Sequence, residues 1–386
     1  MDFLSYEWYI LTIAGVLLLS FLIQSFYYLY FYTGILCHSH RENKGKIPYI
    51  TIRPSVSVII CARNENEHLK QFLPSVLEQK YPNYEVIVVN DGSSDNTEET
   101  LLELKKQYPH LYHTYIPEDA MVMSSKKMAL TVGIKAAKHD LLVFTDADCK
   151  PVSRDWLNCL IRNFDNKTNF VLGYGAYEQK KGILGHLISY DTFTIALQYL
   201  GFAKRGHPYM GVGRNLAYRK ELFFKNKGFA SILHLQSGDD DLFVNQHATG
   251  DNTRIEVNEQ SITISEPKQN FSDWFYQKQR HLSTSKYYRF GTDIMIGTEV
   301  LSRGLFYLSL LILCIISPLE IKIFGLGIYF LRWLIQALVI NLSAKHFGER
   351  QFYLSIIFFD ILLPLLTLHG MFINKYFRKN KNFRWK

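Results

Sequence analysis

Two aspartates, Asp146 and Asp148, stand one residue apart after a short apolar run, residues 141–144. An apolar run of this length is typical of a buried strand. Ligands of open α/β sheets bind just beyond the carboxyl ends of the strands, so both carboxylates have the position of ligand-binding groups. Carboxylate oxygens suit Mg²⁺ or Mn²⁺ and do not suit zinc. The pattern predicts a divalent metal site, and the alternative is a solvated turn, because Asp-x-Asp also occurs in ordinary loops.

Two further strand-like runs are each followed by polar residues that could lie near these aspartates. Residues 55–62 are followed by Arg63 and Glu65, and residues 84–90 are followed by Asp91. A helical pattern follows each run, and alternating strands and helices predict a parallel sheet. The three polar side chains would then line one crevice, where a nucleotide fits because carboxylates accept hydrogen bonds from base N–H and ribose hydroxyl groups. The alternative for Asp91-Gly-Ser-Ser is a simple turn with a helix cap.

The apolar residues indicate a membrane protein with a soluble insert. The composition is 48% hydrophobic with 27 Phe and 25 Tyr, unevenly spread over 386 residues. Residues 8–32 exceed the ~20 residues that cross a bilayer. They lack a basic start and a small-residue cleavage site, which predicts an anchor rather than a removed signal peptide. Three more apolar stretches cover residues 300–319, 323–343 and 352–373, and a soluble block covers residues 54–266.

The net charge of +8 does not require a nucleic-acid partner, because basic residues flank the apolar stretches. They are His38, His40, Arg41, Lys44, Lys46 and Arg53 after the first stretch, and Lys345 and Arg350 after the third. Basic flanks mark the cytoplasmic side of a membrane. We therefore expect a multi-pass integral protein of a bacterial-type inner membrane, with a cytoplasmic soluble block, lipid neighbours and no nucleic acid. Five cysteines without metal-type spacing indicate reduced thiols.

The last apolar stretch contains Asp360 and Pro364, and a basic tail follows it over residues 375–386. A charge within the hydrocarbon costs ~2.5 to 3.5 kcal/mol on insertion scales and therefore usually faces protein or water. A proline there permits a break in the helix. We expect a re-entrant hairpin that turns near Pro364, with Asp360 facing the protein interior and the C-terminus in the cytoplasm.

Other segments are less specific. The aromatic and basic residues of 271–290 are typical of a segment in the lipid headgroup region. Residues 182–203 form either a similar interfacial helix or a helix of the soluble core. His207, His234 and His247 have no ligand spacing, so we expect no metal there.

Seven motifs, taken in combination, resemble the family 2 glycosyltransferases. They are Ser57–Glu65, Val88–Asp95, Ser125–Gly133, Thr145–Asp148, Gly213–Arg219, Gly238–Leu242 and Gln277–His281. The last is similar to the Gln-x-x-Arg-Trp signature of the membrane-bound synthases of hyaluronan, cellulose and poly-N-acetylglucosamine, with His281 in place of Trp. The resemblance covers residues 50–290. Ser125 and Thr131 also depart from the family's glycine and asparagine at these positions.

This resemblance implies an α/β fold of the GT-A type, in which a Rossmann-like, mostly parallel sheet forms a cytoplasmic domain that is combined with transmembrane helices. The implied division is an N-terminal transmembrane helix (1–35), a GT-A domain (50–266), an interfacial amphipathic segment with the Gln-x-x-Arg-His motif (267–298), a C-terminal transmembrane region (299–375) and a basic tail (376–386).

The resemblance also implies the roles of individual residues. The nucleotide-sugar donor would contact Ala62, Arg63, Glu65, Asp91, Lys126, Asp146, Gln277 and Arg280. Mg²⁺ or Mn²⁺ would be held by Asp148 and Asp146. Asp240 corresponds to the catalytic base, with Asp239 and Asp241 as adjacent rivals, and the acceptor would contact Asn215, Asp239 and His281.

The implied activity is metal-dependent, inverting hexosyl transfer from a nucleotide diphosphate sugar, such as a UDP-sugar, to a lipid-linked or polysaccharide acceptor, which forms a β-linkage. The alternative from another class is a non-catalytic membrane module that binds nucleotide sugar or glycan and regulates a partner. Such a module would be expected to lose Asp148, Asp240 or Arg280, and the sequence contains all three. Processive synthesis and single-sugar transfer both remain open.

Overall fold

The computed structural model describes residues 7–117 and 125–376, which form an α/β domain joined to a group of long apolar helices. The strands are β1 (Val56–Ala62), β2 (Tyr84–Asp91), β3 (Leu111–Ile116), β4 (Leu141–Phe144), β5 (Cys149–Pro151), β6 (Phe170–Leu172), β7 (Gly175–Tyr177), β8 (Leu216–Arg219), β9 (Thr253–Ile255) and β10 (Thr263–Ser265). The helices are α1 (Trp8–Phe26), α2 (Gly34–Asn43), α3 (Asn66–Leu77), α4 (Thr97–Gln107), α5 (Ser125–Ala136), α6 (Trp156–Ile161), α7 (Ile183–Lys204), α8 (Lys220–Lys225), α9 (Asp241–His247), α10 (Phe271–Leu282), α11 (Phe290–Ile316), α12 (Leu319–His346) and α13 (Ser355–Tyr376).

The main sheet has seven strands in the order β3-β2-β1-β4-β8-β6-β9. Strands β3, β2, β1 and β4 are parallel, and β8 is antiparallel to both β4 and β6. β1 is buried along its whole length, which fits its mainly β-branched and small apolar residues. A second sheet has the order β5-β10-β7. The predicted parallel α/β sheet is confirmed.

The register brings the carboxyl ends of three strands to one edge of the main sheet. Ala62 at the end of β1 pairs with Asn90 of β2, and Ile59 pairs with Phe144 at the end of β4. Because β8 is antiparallel to β4, its first residue, Leu216, pairs with Phe144. The segments that follow β1, β2 and β4 and the segment that precedes β8 therefore meet at this edge.

Three of the described helices are long and apolar enough to cross a membrane, namely Trp8–Asn43, Phe290–Ile316 and Leu319–His346. The first combines α1 and α2 through a π-helical turn at Tyr27–Tyr32. This first span continues to Asn43. α11 begins at Phe290, ten residues before the apolar stretch of residues 300–319. These spans make the chain a membrane protein.

α13 corrects the expected re-entrant hairpin, because it runs without a break from Ser355 to Tyr376 with Pro364 inside it. A proline in a helix removes the hydrogen bond to the carbonyl four residues earlier, here that of Asp360, and packed neighbours make such a loss tolerable. The expected inward position of Asp360 is confirmed, because its side chain is only 1% exposed. Of the basic tail, residues 377–386 lie outside the described residues.

α7 is a helix of the protein core, which decides between the two alternatives for residues 182–203. Phe193 and Leu200 are fully buried, and the helix packs against β7 and β9 on one side and against α2, α12 and α13 on the other. α10 lies beside it, where Lys278 donates to Asp191 of α7 over 2.6 Å. Gly370 of α13 lies against Gln279 on the opposite side of α10. α7 and α13 therefore fix the position of α10.

A buried network of charged side chains joins α1, α11, α12 and α13. Arg332 of α12 lies 2.8 Å from Asp360 of α13 and donates to Gln24 of α1 over 3.0 Å. Arg303 of α11 pairs with Glu299 in the same helix and lies 3.6 Å from Asp360. Two positive and two negative charges therefore balance within the helix group.

We expect Arg332→Met to destabilise the protein by about 3 to 5 kcal/mol, because it leaves a buried carboxylate without its nearest countercharge. The double variant Arg332→Met/Asp360→Leu restores the charge balance and should recover most of this loss. Thermal unfolding of both variants in lipid nanodiscs measures the effect. A double variant as unstable as the single variant would contradict this account.

Candidate active site

The crevice beyond β1 and β2 contains the residues predicted to bind the nucleoside of a donor. Arg63 follows β1, and its guanidinium lies 3.8 Å from the carboxylate of Asp91 at the end of β2. Glu65 accepts a 2.5 Å hydrogen bond from His68 in the first turn of α3. The other ring nitrogen of His68 lies 3.8 Å from Glu266, so this histidine links the crevice to the segment after β10.

The candidate metal centre consists of Asp146, Asp148 and Cys149, whose ligand atoms all lie within 4.8 Å of one another. Burial raises the pKa of Asp148, and the nearby charge of Asp146 raises it further. Burial also holds the pKa of the Cys149 thiol well above its usual value, so the thiol stays protonated and donates to Asp148 over 3.3 Å. Two mutually repelling carboxylates remain as ligands, and this oxygen donor set fits Mg²⁺ or Mn²⁺.

Arg214 lies beside this centre, although the sequence reasoning did not select it as a site residue. Its guanidinium stacks on Tyr177 at 4.2 Å and donates to Ser265 over 2.9 Å. Its positive charge lowers the pKa of Asp148, which partly offsets the effect of burial. Gln277 of α10 donates to the Tyr177 hydroxyl over 3.1 Å, so α10 reaches the metal centre through this tyrosine. Arg214 belongs to the motif Gly213–Arg219. Its position near Asp148 could not be predicted, because only the tertiary structure brings the two residues together.

Lys126 connects the candidate metal centre to the aspartates before α9. Its ammonium lies 3.0 Å from Asp146 and 3.5 Å from Asp239. Burial lowers the pKa of Lys126, but Asp146, Asp239 and Asp240 outweigh burial and hold this pKa well above its usual value. Lys126 is therefore a fixed positive charge between the two groups of carboxylates.

The three consecutive aspartates have different environments. Burial raises the pKa of Asp239, but Lys126 and Lys127 lower it to a greater extent, so Asp239 stays ionised. Burial, with Asp239 and Asp241 as like-charged neighbours, raises the pKa of Asp240 to about 7. Asp241 accepts hydrogen bonds from the hydroxyls of Thr284, over 2.5 Å, and Tyr288, over 3.0 Å. These hydrogen bonds hold Asp241 in place at the start of α9. Asp240 is the carboxylate whose pKa lies near neutral pH.

A small cavity of about 20 Å³ brings Lys126, Asp146, Asp239 and Asp240 together. It is lined by Cys61, Lys126, Leu130, Phe144, Thr145, Asp146, Gly213, Leu216, Tyr218, Asp239 and Asp240. Asp240 accepts a 2.7 Å hydrogen bond from the backbone of Gly213 at the wall of this cavity. A much larger cavity of about 810 Å³, lined by Lys138 and Asp140 among others, contains none of the predicted site residues.

α10 carries the remaining predicted site residues on the same side of the domain. Arg280 is half-buried and His281 is exposed. Arg280 lies near enough to Lys126 and Asp239 for its charge to lower the pKa of both groups. His281 lies near enough to Lys126 and Asp239 for their charges to affect its pKa.

Two residues that were predicted to contact substrates are fully buried. Asn215 is fully buried, and its amide donates to the carbonyls of Tyr174 and Ser261 while its oxygen accepts from Trp156. With all these bonds inside the protein, Asn215 supports the core and does not reach an acceptor. Ala62 is also fully buried within the apolar core of the sheet, so its side chain offers no surface to a donor.

Comparisons with known proteins agree with this arrangement. A mannosyltransferase, PcManGT from Pyrobaculum calidifontis, solved in complex with GDP-Man and Mn²⁺, superposes with a TM-score of 0.56 at 16% identity, over 95% of this chain and 100% of that one. A poly-beta-1,6-N-acetyl-D-glucosamine synthase of Staphylococcus epidermidis is 32% identical over 173 residues, which are 44% of this chain and 40% of the synthase. The synthase of Staphylococcus aureus (strain COL) is 30% identical over 190 residues, 48% of this chain and 44% of that protein.

The sheet and the structural likeness define an α/β domain with the GT-A fold. Residues 57–225 match glycosyl transferase family 2, and the chain therefore contains a family 2 glycosyltransferase domain next to its membrane helices. The matches span less than half the length of these curated relatives.

Proposed function

We propose that the protein is a membrane-bound inverting glycosyltransferase that transfers a sugar from a nucleotide diphosphate sugar to a lipid-linked or polysaccharide acceptor. The observation that carries this proposal is that one and the same cavity is lined by Asp146, Lys126 and Asp240. It combines a metal-binding carboxylate, a fixed cation and a carboxylate with a pKa of about 7. Together these groups can neutralise a diphosphate leaving group and accept the proton of an attacking hydroxyl group.

On the donor side, Asp146 and Asp148 would hold Mg²⁺ or Mn²⁺. When bound, this ion supplies charge neutralisation for the diphosphate leaving group. Arg63, Glu65 and Asp91 bind the nucleoside. Lys126, Gln277 and Arg280 orient the phosphates, and the planar guanidinium of Arg280 can donate two parallel hydrogen bonds to one phosphate.

On the acceptor side, Asp240 accepts the proton of the attacking hydroxyl group, because a base with a pKa near the working pH is ionised and still takes up a proton readily. Asp239 is the poorer base, since its ion pair with Lys126 stabilises its ionised form. Attack on the side of the sugar opposite the diphosphate inverts the anomeric carbon. An α-linked donor then gives a β-linked product.

The relatives suggest which substrates to test first. Polymers of β-linked N-acetylglucosamine are the product that the names of the staphylococcal synthases state, which favours a UDP-linked N-acetylhexosamine as donor and a glycan as acceptor. The exposed His281 offers a smaller ring for stacking against a sugar than the Trp of the family motif. Single-sugar transfer therefore remains the alternative to processive synthesis.

The test is a screen of UDP-sugars and GDP-sugars with the purified protein in lipid nanodiscs, in which nucleotide release is measured with Mn²⁺, with Mg²⁺ and with EDTA. Metal-dependent release of UDP or GDP from one donor is the expected result. Tight binding of a donor without any release, with and without added glycan, would instead support the non-catalytic binding module.

We further propose that the GT-A domain and the C-terminus lie in the cytoplasm of a bacterial cell, the C-terminus because α13 packs against α7 and α10 of the domain and is not among the described helices long enough to span a membrane. Arg41, Lys44 and Lys345 lie near the ends of the first and third spans that join the domain, as the positive-inside rule requires. A cysteine inserted after Lys379, with the five native cysteines removed, should resist a membrane-impermeant maleimide in intact cells.

The matched control is Glu320→Cys, at the exposed start of α12, where α11 and α12 meet. It should react readily, because this end lies on the outer side of the membrane when the domain is inside. Ready labelling after Lys379 would place the C-terminus outside and refute the proposed topology.

A further inference from the structure

We propose that Lys127 is a positioning residue that holds the segment before Asp240 at a fixed distance from the donor site. This inference rests on the proposed function, because it concerns the placement of the proposed base. The sequence resemblance points to Lys126 only, and Lys127 occupies a variable position of that motif.

The environment of Lys127 is unusual for a lysine. Its residue is 0% exposed, and its ammonium donates to the carbonyl oxygens of Leu235, over 2.6 Å, and Ser237, over 2.7 Å. Among the described residues, no carboxylate lies within ion-pair distance of this ammonium. Lysine is almost never fully buried without a paired charge, and an apolar side chain would fill this space without the cost of desolvation. The two carbonyl bonds are therefore the interaction that a lysine provides here.

The segment that Lys127 holds has little regular structure of its own. It follows a short 3₁₀ turn at Ala230–Ile232 and continues irregularly to Asp240, with Gly238 in a left-handed conformation at φ +105°. The side chain of Lys127 binds two carbonyls of this segment, the nearer of them three residues before Asp240. These bonds reduce the freedom of the chain that leads to the base.

The support for Lys127 is rigid. α5 packs against β1 and β2 so closely at Gly133 that a Cβ atom there would lie 2.8 Å from the side chain of Ile59. Lys126 and Lys127 are neighbours in the first turn of α5 and point in different directions. Lys126 binds Asp146 and Asp239, and Lys127 binds the segment 235–237. α5 thus connects the donor carboxylates, the base and the sheet.

The expected consequence is a loss of turnover rather than of donor binding. Within the described part of the chain, the Lys127 ammonium forms its hydrogen bonds with Leu235 and Ser237 and not with a proposed donor residue, so donor affinity should be maintained. A shift of about 1 Å in a reacting group can cost about 100-fold in rate. We therefore expect Lys127→Met to lower kcat by about 100-fold, with the donor KM changed by less than about threefold.

The experiment compares Lys127→Met, Lys127→Arg and the wild type in nanodiscs, with Lys135→Met as the matched control, because Lys135 is an exposed lysine of the same helix. Lys135→Met should have wild-type kcat, and Lys127→Arg, which keeps the N–H donors, should retain more activity than Lys127→Met. Hydrogen exchange of residues 233–240, measured without substrate, should be faster in Lys127→Met than in the wild type. If Lys127→Met does not fold, the same comparison with Lys127→Gln decides the question.

Wild-type kcat together with wild-type exchange in Lys127→Met would overturn the proposal, and so would an equal loss of kcat in Lys135→Met. A wild-type protein that turns over no nucleotide sugar would refute the proposed function. The exchange measurement would still show whether Lys127 holds the segment, so the two failures can be told apart.

Discussion

Asp240→Asn is expected to lower kcat by about 10²- to 10⁴-fold, because the amide keeps the shape of the side chain but cannot accept a proton at neutral pH. Donor affinity should stay close to that of the wild type, since the donor residues lie on the other side of Lys126. A loss confined to kcat identifies an interaction that operates in the transition state. Steady-state kinetics of nucleotide release, with donor binding measured separately by calorimetry, provide the test.

The pH dependence gives a second readout of the same variant. Burial and the two neighbouring aspartates raise the pKa of Asp240 to about 7, so the ionised base forms only as the pH rises through this value. Wild-type kcat should therefore increase from pH 6 to pH 8 with an apparent pKa near 7, which belongs to the coupled aspartates as a group. Asp240→Asn should lose this dependence.

The neighbouring aspartates are the controls for this assignment. Asp241→Asn should mainly lower the thermal stability, because Asp241 accepts the hydroxyl hydrogen bonds of Thr284 and Tyr288. Asp239→Asn removes an ion pair with Lys126 and should weaken activity to a smaller extent than Asp240→Asn. If Asp239→Asn or Asp241→Asn is the inactive variant and Asp240→Asn is active, the base has been assigned to the wrong carboxylate.

The second large effect is expected for Asp148→Ala, which should abolish transfer and metal-dependent nucleotide binding while the protein remains folded. Asp148 follows β4 and belongs to the candidate metal centre, and removal of one of two carboxylate ligands leaves too little charge to hold the ion. Nucleotide release and Mn²⁺ binding, followed by electron paramagnetic resonance, measure the loss.

Asp140→Ala is the matched control, because Asp140 is an exposed aspartate immediately before the same strand, at its opposite end. It should show wild-type metal binding and turnover. Near-normal turnover of Asp148→Ala with Mg²⁺ or Mn²⁺ would contradict the assignment of Asp148 as a metal ligand.

Local patterns predicted the sheet and one edge of the site well. The strands before Arg63, Asp91 and Asp146 could be recognised because each is a mainly apolar run that is followed by polar residues, and parallel strands end at one edge. The rule that a lone charge in an apolar stretch faces protein also placed Asp360 correctly.

The failures have a common physical cause, because each depended on partners distant in the sequence. Lys127 and its acceptor Leu235 are 108 residues apart, and no local pattern relates them. The motif located Asn215 but could not show that Trp156 and two carbonyls satisfy its amide. The hairpin at Pro364 was predicted because a proline permits a break in a helix. In the structure, α13 packs against α7, α10 and α12 and is continuous.

The charge network among the membrane helices has a consequence for biosynthesis. Arg303, Arg332 and Glu299 are synthesised first, and until α13 emerges they leave the inserted helices with one positive charge in excess. Asp360 supplies the missing negative charge from α13, which follows these helices in the chain. An inserted chain that ends before Ser355 therefore leaves one arginine of the network without its countercharge, and an unpaired charge within a membrane is costly. In this protein, α13 completes the electrical neutrality of helices that leave the ribosome before it.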